Sequence, residues 1–77
     1  MTTEINEAVA ANLRAEIARR KRRQADLTDV WGISQMGVSR RLAGSVPITA
    51  GELQAAAEWL GLDMADLMPG TPEAATA

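Results

Sequence analysis

The sequence predicts a compact all-α domain of five short helices, and three observations lead to this fold class. Apolar residues recur at intervals of three and four, the spacing that lines one face of an α-helix. The chain contains neither Tyr nor Phe, and no stretch alternates apolar with polar residues, so no strand is predicted. Its 77 residues are half of the ~150 typical of one domain, so we expect a single domain with a thin core.

The first helix is predicted over residues 4–21. Its apolar stripe repeats every four residues and consists of Ile5, Val9, Leu13 and Ile17. Acidic residues stand near the predicted start, and the basic run 19–23 stands near the predicted end. This arrangement complements a helix dipole and therefore supports the assignment.

Two short helices follow, at roughly 24–31 and 35–43. Gly32 suits the turn between them because glycine takes a positive φ without strain, and Ser34 is the predicted N-cap of the second helix. The two helices are expected to pack together through the apolar side chains of Leu27, Trp31, Ile33 and Val38. Two helices joined by a tight, glycine-containing turn form a helix-turn-helix, here at residues 24–42.

The last two helices are marked by their caps. Thr49 and Glu52 have the spacing of a capping box, and the helix that follows buries Leu53, Ala56, Ala57 and Leu60. Asp63 is the predicted cap of a short final helix at 64–68. We expect residues 1–68 to form the domain and residues 69–77, which are small, polar or Pro/Gly, to form a disordered tail.

Charge is distributed unevenly along the chain. Residues 12–44 hold all eight basic residues and three acidic ones, a net charge of +5, whereas residues 45–77 hold five acidic residues and no basic one. A local basic region attracts polyanions even where the whole chain carries a net charge of −2.

Several function classes are not expected. The chain has no Cys and no His, so we expect no catalytic site, no metal and no cofactor, and the protein is not predicted to be an enzyme. Neither a leader peptide nor a membrane span is recognisable, so we expect a cytoplasmic protein without a membrane partner. No small-molecule ligand is expected either.

The second helix of the motif presents polar residues opposite its core face. At 100° per residue, Met36 and Arg40 lie about 140–180° from the direction shared by Val38 and Leu42. Gln35 stands in the first turn, the end that enters a major groove first. We therefore predict that Gln35, Met36 and Arg40 contact bases, with Arg40 suited to guanine, Gln35 to adenine and Met36 to the methyl group of thymine.

Other polar residues near the motif are candidates for the DNA backbone. Gly37 allows close approach of the main chain, and Arg41 lies at the edge of the helix, where a phosphate is the expected partner. The full set comprises Gln24, Ser34, Gly37, Ser39, Arg41, Ser45, Arg19, Arg20, Lys21, Arg22 and Arg23. An alternative for the basic run is a solvated helix end with no ligand.

The string from Ile33-Ser34-Gln35 through Val38-Ser39-Arg40-Arg41-Leu42-Ala43-Gly44 resembles the Cro/repressor-type (XRE-like) helix-turn-helix family of phage and bacterial regulators. Further stretches in residues 8–68 support the resemblance, among them 12–14, 24–32, 49–53 and 59–62. It implies a repressor-like DNA-binding domain of five helices. It also implies that Gln24 and the loop at Ser45 meet phosphate, and that residues 35, 36 and 40 reach base edges.

Three positions depart from the family pattern. Arg23 stands where a Thr or Ser N-cap is usual, and Thr28 replaces a usual Ala at the helix crossing. Arg41 occupies a position that is normally apolar. This last departure leaves open whether Arg40 or Arg41 is the main base reader.

The resemblance implies a sequence-specific transcriptional regulator, phage or prophage-like, of the bacterial cytoplasm or nucleoid. Its partner would be a double-stranded DNA operator, and it would repress transcription by occupying this site. A homodimer suits a palindromic site, and candidate dimer contacts are Trp59, Met64 and Met68, although these side chains would equally close the small core.

The alternative function is a protein-interaction module such as an antitoxin or anti-repressor. Its acidic C-terminal half would then bind a basic protein partner. A nonspecific architectural DNA-binding protein is a further alternative, which would bind duplexes without a preferred site.

Overall fold

The computed structural model describes residues 2–69, which form four α-helices and two single turns of 3₁₀ helix. In chain order these are α1 (Thr2–Arg19), the first 3₁₀ turn (Gln24–Asp26), α2 (Leu27–Trp31), α3 (Gln35–Leu42), α4 (Ala50–Leu60) and the second 3₁₀ turn (Met64–Leu67). No strand occurs in this part of the chain, and the predicted all-α class is confirmed. Of the predicted tail 69–77, all but Pro69 lies outside the described residues.

Two of the five predicted helices differ from the expectation. The helix predicted from residue 24 opens as a 3₁₀ turn, because Arg23 in the N-cap position has no side-chain acceptor for the free backbone N–H groups. The final element is also a 3₁₀ turn. Its last residue is Leu67, and Pro69, which follows two positions later, cannot continue a helix.

The turn between α2 and α3 has the predicted geometry. Gly32 is left-handed, with φ 67°, and the N–H of Ile33 donates to the carbonyl of Thr28 at 3.2 Å. The predicted cap at Ser34 is confirmed, since its Oγ accepts from the N–H of Gly37 at 3.1 Å. These bonds fix the direction in which α3 leaves the turn.

One apolar core is shared by the four helices and the second 3₁₀ turn. Its buried members are Val9, Leu13, Ile17, Leu27, Val38, Leu42, Leu53, Ala56, Ala57, Leu60 and Leu67. Ile5 continues the stripe of α1 but is 52% exposed, so the stripe is not buried at this end of the helix. Ile5 borders an open groove of about 220 Å³ instead of packed side chains.

Packing pairs the helices across this core. The main contacts of α3 are with α1, α2 and the first 3₁₀ turn, whereas those of α4 are with α2 and the second 3₁₀ turn. Hydrogen bonds from side chains to main-chain carbonyls also join the helices. Arg14 of α1 donates to the carbonyl of Leu42 of α3, and the indole Nε1 of Trp31 of α2 donates to the carbonyl of Glu52 of α4 at 2.8 Å. In the described residues, no buried side-chain N or O atom lacks a partner.

Candidate nucleic-acid interface

The outer face of α3 consists of the residues that the helical projection placed there. Val38 is 0% exposed and Leu42 is 3% exposed, so this side of the helix faces the core. Gln35, Met36 and Arg40 are exposed, and Met36 is 61% exposed. A large apolar side chain in water, beside a glutamine and an arginine, is the kind of surface that fits a groove with both polar edges and methyl groups.

The position of α3 is fixed at both ends. Ser34 caps the N-terminus, and Arg14 of α1 satisfies a carbonyl in the last turn by donating to Leu42. The helix contains no acidic residue, and both of its charged residues, Arg40 and Arg41, lie in the last turn. The outer face of α3 is therefore supported by bonds at both ends of the helix and carries a positive charge at Arg40.

The two neighbouring arginines of α3 have different environments. Arg40 is exposed, and within residues 2–69 its guanidinium forms neither an ion pair nor a hydrogen bond. Arg41 is largely covered: its Nε bonds to Oε1 of Glu52 at 3.0 Å, and its Nη1 donates to the carbonyl of Gly37 at 3.1 Å. Arg40 is thus available to a ligand in this structure, whereas Arg41 is occupied.

Gly37 has a role inside the protein besides the predicted close approach to DNA. A Cβ atom at this position would lie 3.2 Å from Cδ1 of Ile33 and 3.4 Å from Nη1 of Arg41. The missing side chain therefore makes room for the two side chains that fold back onto the start of α3.

The basic run 19–23 is exposed, but most of its members have partners. Arg19 pairs with Glu16 at 2.6 Å, and Arg20 pairs with the same carboxylate. Arg23 reaches Asp26 at 3.1 Å. The arginines of these pairs are 33–80% exposed, and ion pairs of exposed side chains contribute little to stability, so phosphate groups can replace these carboxylates at small cost.

The remaining two basic residues of this run have features that the sequence did not indicate. Lys21 adopts φ 55° and ends α1, while the N–H of Arg22 donates to the carbonyl of Ile17 at 3.0 Å. Helices usually end in this way at glycine, so the basic run itself gave no signal of the turn. Arg22 lies over the ring of Trp59, with Cζ 5.4 Å from the ring centre.

The other predicted backbone contacts are at the surface. Gln24, Ser39 and Ser45 are exposed, and the N–H of Ser45 donates to the carbonyl of Arg40 at 3.0 Å. The loop after α3 therefore folds against the last turn of this helix. Gln24 opens the first 3₁₀ turn, which packs against α3 and joins it to the basic run.

All three candidate dimer contacts are at least partly exposed. Trp59 is half-buried and carries Arg22 on its ring. Met64 is half-buried against the core, Met68 is 42% exposed, and both line the groove that Ile5 borders. Sequence reasoning did not identify this groove, because Ile5 belongs to a stripe that otherwise is buried.

In residues 2–69, no helix is long and apolar enough to cross a bilayer, and no three His, Cys, Asp or Glu residues cluster as a metal site would require. No family model matches the chain, and no curated protein or solved structure matches it either.

Proposed function

We propose that the protein is a sequence-specific DNA-binding transcriptional regulator of the Cro/repressor type, in which α2 and α3 form the helix-turn-helix. The observation that carries this proposal is the outer face of α3. Gln35, Met36 and Arg40 project from a helix whose opposite side, at Val38 and Leu42, is anchored in the core. A helix held in this way can enter a major groove without losing its packing.

The chemistry of this face suits base edges. An arginine with no partner within the described residues can donate two hydrogen bonds to O6 and N7 of guanine, and Gln35 can bond to N6 and N7 of adenine. Met36 offers an apolar contact for the methyl group of thymine. Because α3 carries no acidic side chain, nothing on the helix repels the phosphate backbone.

The basic run 19–23 supplies the phosphate contacts in this proposal. It lies at the end of α1, immediately before the 3₁₀ turn that packs against α3. Arginine and lysine side chains at such a position hold the duplex in register while the base contacts select the sequence. Gln24 and Ser45 flank the same helix and add hydrogen-bonding groups for the backbone.

The proposed action is repression by occupancy of an operator, and a phage or prophage regulator in the bacterial cytoplasm or nucleoid fits it. A homodimer would place two copies of α3 on a palindromic site, one helical turn of DNA apart. The resemblance of residues 33–44 to the repressor family is the support for this part of the proposal.

Selection from a random pool of duplexes at near-physiological salt tests the proposed function. We expect enrichment of a palindrome, and its half-site spacing would give the dimer geometry. Enrichment of a single half-site would indicate a monomeric regulator. Binding without any enrichment would contradict sequence specificity and favour an architectural protein.

A second candidate function is a protein-interaction module, and the apolar groove favours it. Ile5 and Met68 are both exposed at this groove, and the C-terminal part of the chain is acidic. An antitoxin or anti-repressor that binds a basic protein would use such a surface. This function predicts a stoichiometric protein complex and no binding to duplex DNA.

A further inference from the structure

The ion pair between Arg41 and Glu52 joins α3 to α4, although the main packing partners of both helices are other elements. It is well shielded, since the side chains are only 20% and 18% exposed. Arg41 also donates to the carbonyl of Gly37, so its guanidinium is held by two acceptors at once. Both side chains of this pair are shielded, whereas the arginines that form pairs in the basic run are 33–80% exposed, so this pair is less weakened by water and salt.

The carboxylate of Glu52 cannot turn away from Arg41 without losing its bond to the N–H of Thr49, and the main chain of Glu52 is held as well. Its Oε1 also accepts from the N–H of Thr49 at 3.1 Å, and its own N–H donates to Oγ1 of Thr49 at 3.1 Å. Its carbonyl accepts from the indole of Trp31 at 2.8 Å. The carboxylate is therefore part of the α4 cap and is fixed before any ligand arrives.

Gly37 lies next to the guanidinium of Arg41. A Cβ there would lie 3.4 Å from Nη1 of Arg41, at the near limit of ordinary van der Waals contact, and the main-chain carbonyl of Gly37 accepts from the same Nη1 at 3.1 Å. Two acceptors thus hold one arginine against the protein: the carboxylate of Glu52, which belongs to the capping box, and the carbonyl of Gly37. The adjacent Arg40 has no such restraint within the described residues.

We propose that Glu52 is a positioning residue that keeps Arg41 away from DNA, so that Arg40 is the arginine of α3 that reads the sequence. This inference rests on the proposed function. A second mobile arginine beside Arg40 would reach phosphates on any duplex and would strengthen binding to all sequences alike. Holding it back lowers nonspecific affinity and so raises the ratio between specific and nonspecific binding.

The test measures affinity and its salt dependence on the selected duplex and on a scrambled one. Arg41→Gln should change either affinity by less than about twofold and leave the salt dependence unchanged, since no phosphate contact is lost. Glu52→Gln keeps a side chain that can cap α4 but removes the charge that holds Arg41. It should raise affinity for the scrambled duplex by about three- to tenfold and steepen the log–log salt slope by about 0.9.

Two further variants separate release of Arg41 from simple loss of a negative charge. The double variant Arg41→Gln/Glu52→Gln should return the salt slope to that of the natural chain. Glu58→Gln, also on α4, makes the same change in net charge at an exposed carboxylate whose partner is Gln54, at 3.0 Å. It should leave the slope unchanged and shift the affinity by less than about twofold.

Loss of affinity with a shallower slope in Arg41→Gln would overturn the inference while leaving the proposed function intact, because Arg41 would then contact DNA. If Glu52→Gln does not fold, the Arg41→Gln variant by itself still distinguishes an Arg41 that is held against the protein from one that contacts DNA. The inference would also be overturned if Glu52→Gln raised affinity for the scrambled duplex by the same factor in the natural chain and in the Arg41→Gln variant. If the natural chain shows no preference between the two duplexes, the proposed function and the inference both fail.

Discussion

Helices α3 and α4 are built alike on the inside and differently on the outside. Each begins at a hydroxyl cap, Ser34 or Thr49, and each contributes buried apolar side chains to the same core. Among their charged residues, Arg41 of α3 and Glu52 of α4 pair with each other, which leaves Arg40 exposed on α3 and Glu58 exposed on α4. The inner faces determine the fold, and the outer faces determine which helix can approach a polyanion.

The largest expected effect concerns the inner faces, where the two helices should behave alike. Leu42→Ala on α3 and Leu53→Ala on α4 should each lower the free energy of unfolding by about 2–5 kcal/mol, because each removes a buried side chain. Urea denaturation followed by circular dichroism measures this loss. Gln54→Ala on the exposed side of α4 is the control, and an equal loss there would contradict the assigned core.

The outer faces should differ in their effect on binding. Arg40→Ala should lower affinity for the selected duplex by about 1–3 kcal/mol and relax the preference at one base position. Glu58→Ala on α4 should have no such effect on the preference. Binding curves on the selected duplex and its single-base variants check this. An equal loss on every duplex would mean that Arg40 contacts phosphate and not a base.

The two caps should have similar effects on folding and different effects on binding. Ser34→Ala and Thr49→Ala should each lower the free energy of unfolding by about 1 kcal/mol, because each leaves a backbone N–H at a helix start without its acceptor. Ser34→Ala should additionally weaken DNA binding, since it loosens the turn that carries Gln35. Thermal unfolding together with a duplex titration separates the two effects.

The smallest expected effect has opposite signs for stability and for binding. Arg23→Ser supplies the side-chain cap that the first 3₁₀ turn lacks, so the free energy of unfolding should rise by about 0.5–1 kcal/mol. The same change removes a basic residue next to Gln24, so the salt slope of DNA binding should become shallower by about 0.9 if Arg23 contacts a phosphate. Unchanged salt dependence would exclude Arg23 from the interface.

Local signals explain how much of this fold could be predicted. The caps at Ser34 and Thr49 and the turn at Gly32 were identified because each depends on residues within four positions of one another. The rotation of α3 followed from Val38 and Leu42 alone. Local propensity, by contrast, gave no sign that the last element is a 3₁₀ turn, because its length is set by Pro69 and by packing of Leu67.

Contacts between distant parts of the chain explain what was missed. Ile5 continues an apolar stripe, but its burial depends on neighbours that leave a groove there. Arg41 and Glu52 are 11 positions apart, and no spacing rule relates them. The choice between Arg40 and Arg41 as the available arginine therefore required the relative positions of α3 and α4.

The most direct test of the central claim compares the outer faces of α3 and α4 in one experiment. Amide resonances of the isotope-labelled chain are followed by NMR while the selected duplex is added. We predict large shifts for Gln35, Met36 and Arg40 and for the basic run 19–23, with little change for Gln54 and Glu58. Shifts centred on α4 or on the groove at Ile5, with α3 unchanged, would contradict the proposed interface.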